Sequence, residues 1–143
     1  MSDTKKTNVP VYFFLGFRLL EATYKHRNDD TLTSFGIKIV ESLLDKKNRV
    51  HALTIQFNMT FGKNEESTFI FNSGYQINDF EWYNSLAKEQ IDALFLSVLF
   101  PYVREKVYSL TNDYRGNIDI PIIDLRHADL TEGAIFEKEN IQK

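Results

Sequence analysis

The stretch Leu53-Thr54-Ile55-Gln56-Phe57-Asn58-Met59-Thr60-Phe61 places a large apolar side chain at every odd position and a polar one at every even position. Successive side chains of an extended chain point to opposite faces of a sheet. Unbroken period two over this length therefore predicts a half-buried antiparallel strand. Downstream, Gly62, Lys63, Asn64, Glu65 and Glu66 have turn composition. Residues 68–78 then resume β-type composition, with Phe69, Phe71, Tyr75 and Ile77 on one parity. The two segments predict a hairpin, and Gly74 inside the second predicts a bulge or a close backbone approach. Upstream, Phe35, Ile37 and Ile39 alternate around Lys38, and Leu43 and Leu44 precede the turn-like 45–48. Further back, Val9, Val11, Phe13, Leu15, Phe17 and Leu19 occupy odd positions of 9–23, which predicts a strand whose buried face is the odd one, with Tyr12 and Phe14 interrupting the alternation. Residues 24–34, with Lys25, His26, Arg27, Asn28, Asp29 and Asp30, read as a solvated loop.

After Asn78 the period changes. Over 86–110 the apolar residues Leu86, Ile91, Leu94, Phe95, Val98, Leu99, Tyr102, Val103, Val107 and Leu110 recur at three and four, the helical spacing, with Asn84 or Ser85 as the expected cap. Pro101 lies in the middle, where a missing N–H predicts a kink near Val98 or a restart at Pro101. Ile118, Ile120 and Ile123 around Pro121 read as extended. Residues 128–143 read as a short second helix, weakened by Gly133. Strands first and a helix afterwards predict an α+β fold, an antiparallel sheet covered on one face by a helix. The 143 residues suit one domain, 1–143, with the polar residues 1–8 expected to be disordered.

The chemical inventory is thin. Seventeen Lys and Arg against twenty Asp and Glu give a formal charge of −3, too balanced to predict a nucleic acid or an anionic membrane as partner. The absence of cysteine excludes disulfides, thiolate catalysis and cysteine-ligated metals. The apolar run Val11 to Leu15 is too short for a secretory h-region or a bilayer span, so a cytoplasmic location without membrane insertion is expected. His26, His51 and His127 form no spaced metal pair and read as surface residues. No phosphate-binding glycine loop or nucleophile elbow is present, and the neighbouring carboxylates Asp29–Asp30 and Glu65–Glu66 read as solvated turns. No enzymatic activity, metal or cofactor is expected.

What the sequence does have is apolar sheet surface. Phe57, Phe61, Phe69, Phe71, Tyr75 and Ile77 offer more of it than one kinked helix and a short tail easily cover, and Tyr12, Phe14 and Ile70 add to the opposite parity. Surplus apolar surface marks an interface or a binding groove, so oligomerisation or capture of extended hydrophobic segments is expected.

The run Leu99-Phe100-Pro101-Tyr102-Val103-Arg104-Glu105 resembles the protein-export chaperone family SecB, whose first helix carries a Leu-Phe-Pro-Tyr-Ala-Arg-Glu run. Arg115 and Gly116, then 118–121, then Ala128, Asp129 and Leu130 are similar to the helix end, extended segment and second-helix start that follow it in that family. The resemblance implies a four-stranded antiparallel sheet, one long helix at subunit contacts and a short C-terminal helix. It also implies a homotetramer built as a dimer of dimers. It implies further an ATP-independent holdase for unfolded preproteins, which are passed to the SecA motor. On this reading the expected groove residues are Phe57, Met59, Phe61, Phe69, Phe71, Tyr75 and Ile77, with Leu125 and Leu130 from the cover. The expected oligomer interface is Leu94, Val98, Tyr102, Arg104 and Tyr108, in a dimer or tetramer. Expected partners are unfolded polypeptides, a second copy of the chain and SecA. The alternative is a SecB-fold adaptor or dedicated chaperone for one fixed partner, toxin–antitoxin or phage-related, without a link to export.

Overall fold

A computed structural model describes residues 9–23, 32–61, 65–111 and 133–137. The chain runs β1 (Tyr12–Thr23), β2 (Leu32–Asp45), β3 (Val50–Phe61), β4 (Glu65–Ile77), α1 (Phe80–Ser85), α2 (Lys88–Leu110) and β5 (Ala134–Glu137). The strands form one antiparallel sheet in the order β1-β4-β3-β2-β5. The α+β architecture, the hairpin of β3 and β4 and the long helix are as the sequence predicts. The strand count is not. Ala134–Glu137, within the segment expected to be helical, pairs with residues 34–37 of β2 as a fifth strand. Four residues hold too little periodicity to tell a strand from a helical turn, and the neighbouring strand decides.

The odd residues of β3 and β4 face α2. Helix residues Ile91, Phe95, Leu96, Leu99, Phe100, Val103 and Val107 close over them, and all are buried. Tyr75 stacks flat on Phe95 with centroids 4.1 Å apart, and its hydroxyl donates to the Phe95 carbonyl at 2.8 Å. Each such side chain contributes about 1.5–3 kcal/mol by leaving water. α2 starts at Lys88 rather than Leu86, and neither Asn84 nor Ser85 caps it. Ala87 holds the cap position, its N–H donating to Gln90 Oε1 at 2.8 Å. The helix continues unbroken through Pro101 instead of restarting there. Pro101 and Ser97, whose carbonyl loses its helical donor, both lie on the exposed side of the helix. α1 has no counterpart in the sequence reading, being too short for a periodic signal. The Asp79 side chain caps it by accepting from the Trp82 N–H at 3.0 Å.

The turn between β2 and β3 is built by Asp45, whose carboxylate accepts from the Asn48 N–H at 3.2 Å and from Asn48 Nδ2 at 2.7 Å. These bonds hold the Asp45 carboxyl below the ordinary carboxylate range. Arg49 follows at φ 59° and reaches back, donating to the carbonyls of Ile77 and Asn78 while its guanidinium lies 4.6 Å above the Phe80 ring. That contact fixes α1 against the hairpin end.

β1 corrects the expectation for its own buried face. Its pairing with β4 steps from Phe14↔Tyr75 to Gly16↔Gly74 and from Leu19↔Phe71 to Glu21↔Ile70, so an extra residue is inserted at Leu15 and again at Leu20. Gly16 has φ 123°, a conformation that an L side chain strains to adopt. Each insertion moves inward-facing positions by one. Tyr12 and Phe14 therefore pack against the core before the first bulge and Phe17 and Leu19 after it, while Phe13 and Leu15 turn outward. The irregularity expected at Gly74 lies across from it, on the partner strand. β2 behaves alike: a step between Ile39 and Glu41 moves its inward positions from Phe35, Ile37 and Ile39 to Ser42 and Leu44.

Candidate functional site

β1 is an edge strand, paired on one side only among the described residues. Its outer row of backbone N–H and C=O groups is the kind of surface that pairs with another extended chain. Apolar side chains flank that row on both faces. On the helix side, Tyr12, Phe14 and Phe17 are half-buried and Tyr102 of α2 is 43% exposed. Tyr102 sits 5.2 Å from the Phe14 ring and 5.4 Å from the Phe17 ring, while Trp82 of α1 stacks on Tyr12 at 5.7 Å. On the outer side, Phe13 is 58% and Leu15 50% exposed. An open hollow lined by Leu15, Gly16, Phe17, Arg18 and Asn72 marks the bulge between the two faces. The outer apolar area continues across the sheet through Gly74, which pairs with Ala52, to Leu43, which pairs with Ala52 from the other side. Further along, the outer face is polar, with Asn72 Nδ2 donating to Thr54 Oγ1 at 2.9 Å.

The expected groove residues lie elsewhere. Phe57, Met59, Phe61, Phe69, Phe71, Tyr75 and Ile77 are each at most 1% exposed, beneath α2. In this single chain they are core. The surface open to a partner lies at β1 and on the outer face. Leu125 and Leu130 fall outside the described residues. The expected interface residues are all on α2: Leu94 and Val98 half-buried against the core, Arg104 half-buried, Tyr102 and Tyr108 exposed. The structure brings Tyr102 to the β1 site. The β1 residues themselves were legible as apolar, but their outward turn was not. Its signal was Gly16, placed between two runs of opposite parity.

A polar chain was also missed. His51, expected on the surface, is 2% exposed and sits at the inward position of β3 next to Leu53. Ser42 Oγ donates to Asp92 Oδ1 at 2.6 Å and lies 2.7 Å from His51 Nε2; His51 Nδ1 lies 2.7 Å from the Tyr83 hydroxyl. A serine has one hydroxyl hydrogen, and here Asp92 receives it. His51 Nε2 must then donate to Ser42, which leaves Nδ1 to accept from Tyr83. Burial holds the imidazole neutral, lowering its pKa to about 4 against a smaller upward pull from Asp92. Burial also raises the Tyr83 and Tyr75 hydroxyls above the ordinary phenol range. Lys88 Nζ closes the chain on α2, 3.6 Å from Asp92 Oδ2 and donating to the Ser42 carbonyl at 3.3 Å. The residue types are those of a nucleophilic triad, yet the order differs: the carboxylate holds the serine proton, and the imidazole turns a protonated nitrogen toward the serine. This is a tether joining β2, β3, α1 and α2. Extending the alternation two positions upstream of Leu53 would have found its buried histidine.

Among the described residues no three His, Asp or Glu side chains converge as a metal site, and no helix is long and apolar enough to cross a membrane.

No protein-family model and no curated protein sequence matches the chain. Solved structures do. A SecB-like chaperone of Mycobacterium tuberculosis, in complex with a ChAD peptide from the antitoxin HigA1, superposes with a TM-score of 0.58 at 16% identity, covering 78% of this chain and 87% of that one. A protein of unknown function from Streptococcus agalactiae matches with a TM-score of 0.42 at 13% identity, over 78% of this chain and 97% of that one. The likeness to the first of these is one of fold: the chain has the SecB-like fold.

Proposed function

We propose that the chain is a non-enzymatic, ATP-independent chaperone that holds non-native polypeptide along β1. The observation that carries this reading is an edge strand that has no neighbour on its outer side among the described residues and carries apolar side chains on both faces. A captured segment adds backbone hydrogen bonds to β1 and sets alternate side chains against Phe14, Phe17 and Tyr102 on one side and Phe13 and Leu15 on the other. Such burial is non-directional, so selection is for extended apolar chain rather than for one motif. The hydrogen-bond order of the Ser42 chain supports the absence of hydrolytic chemistry. The exposed α2 residue Tyr108 supports a homodimer or tetramer, and an export role with SecA in the cytoplasm completes this first reading.

A second reading has its own observation: the SecB-like neighbour is solved with a peptide from an antitoxin. On it, this chain is a dedicated chaperone for one fixed partner such as an antitoxin, not linked to export. One experiment separates the two. Light scattering follows aggregation of three unrelated denatured proteins at equimolar chain; a holdase delays all three, a dedicated chaperone none. In both cases the double variant Phe13→Ser/Leu15→Ser abolishes partner binding while circular dichroism stays unchanged. Retained binding by that variant would remove β1 as the site.

A further inference from the structure

α1 is a six-residue helix that carries no buried residue of its own, yet it positions the ring that covers one end of β1. Trp82 stacks on Tyr12 at 5.7 Å, and Tyr12 in turn meets Phe95 of α2 at 5.2 Å. The next residue, Tyr83, packs partly buried against the core and is tied to the sheet by a hydroxyl bond to buried His51, 2.7 Å long. His51 passes the tether on through Ser42 to Asp92.

We propose that this Tyr83–His51–Ser42–Asp92 chain is a proton-sensitive latch: protonation of His51 releases the Tyr83 end of α1 from the sheet while Arg49 keeps its hold on Phe80 at the other end, so that Trp82 leaves Tyr12 and uncovers the aromatic end of β1. The physical reason is geometric. Both ring nitrogens are occupied, Nε2 as donor and Nδ1 as acceptor from Tyr83. A proton added at Nδ1 ends the bond that Tyr83 donates and forces its hydroxyl hydrogen to turn away, and the new charge would be enclosed next to the Phe95 ring, 5.1 Å away. The groups facing His51 are Asp92 and Lys88 from α2, Tyr83 from α1, Ser42 from β2 and Tyr75, its pairing partner on β4. Asp92 favours the added proton, whereas Lys88 and, above all, burial oppose it. The closed latch therefore binds the proton far more weakly than an opened, hydrated His51 does. Acid must then shift the balance to the open form, raising the opening constant about tenfold between pH 7.5 and pH 5.5.

The bearing of this latch on partner capture rests on β1 being the binding strand. The test is hydrogen exchange at the Trp82 and Tyr83 amides of the full chain, corrected for intrinsic rates, with permanently unfolded reduced and carboxymethylated α-lactalbumin as the binding probe. In the wild type the α1 opening constant rises about tenfold on going to pH 5.5 while amides around Leu99 stay unchanged, and in His51→Gln the rise disappears. Tyr83→Phe shows a raised opening constant already at pH 7.5. An equal rise in His51→Gln, or a parallel rise around Leu99, would overturn the latch. If α1 opens through His51 while probe affinity at pH 5.5 equals that at pH 7.5, the latch stands and the assignment of β1 as the binding strand falls.

Discussion

The β3–β4 hairpin and the edge strand β1 have similar composition and opposite fates. Both are rich in aromatic residues, on alternating positions in the hairpin and as the consecutive run Tyr12-Phe13-Phe14 followed by Phe17 in β1. In the hairpin each odd residue from Phe57 to Phe61 and from Phe69 to Phe71 is sealed beneath α2, because the register between the two strands runs from Val50↔Gln76 to Phe61↔Glu65 without a step. In β1 the register steps twice, and its aromatics divide between the helix side and the outer face. A regular strand between two neighbours converts alternation into one buried face. A bulged strand at an edge presents apolar groups in both directions, beside backbone groups that have no strand partner on that edge among the described residues.

The contrast is broken most strongly in the hairpin. Phe71→Ala removes a fully buried ring and is expected to lower unfolding stability by about 3–5 kcal/mol in urea titration, with Phe71→Asp failing to fold. Retained stability in Phe71→Ala would mean that the hairpin face is not the core. Next comes the polar tether. His51 titrates at about 4 when folded and 6.5 when unfolded, so the unfolded chain binds the proton more readily between those values. Its stabilisation is fully present above pH 6.5 and is lost as pH falls toward 4, about 3 kcal/mol in all. Thermal denaturation across pH 4–7 should show this slope in the wild type and a flatter one in His51→Gln. A smaller effect belongs to the bulge: Gly16→Ala, at φ 123° but with free space around the added methyl group, costs about 1–2 kcal/mol by melting temperature. The smallest is on the open face, where Phe13→Ser changes stability by no more than about 0.5 kcal/mol while weakening partner binding. A large stability loss there would show that Phe13 is covered within the fold.

The residues that made the fold legible are those whose local pattern and tertiary environment agree. Leu53 to Phe61 lie in a central strand whose register with β4 has no step and whose steps against β2 are taken up by extra residues in β2, so period two mapped directly onto buried and exposed faces. Positions 91, 95, 99, 103 and 107 repeat at helical spacing, and the structure buries all five against the sheet. The site was less legible. Phe13 and Leu15 share parity with Phe17 and Leu19, and only the extra residue opposite Tyr75 and Gly74 sets them on different faces. His51 is polar, so composition put it outside; its place next to Leu53 on the inward row, with Ser42 and Tyr83 in reach, put it inside. Ala134–Glu137 is too short for any periodicity and took its conformation from the neighbouring edge of β2.

Sequence by itself determined the class of the fold: where extended chain gives way to helix, and which strands form the central hairpin. Those follow from interactions within a few residues, where spacing alone decides which side chains share a face. Tertiary structure decided which apolar residues remain open and which polar ones are enclosed. Both depend on strand register and on partners distant in the chain, Gly16 against Gly74 and His51 against Tyr83, whose meeting no local spacing encodes.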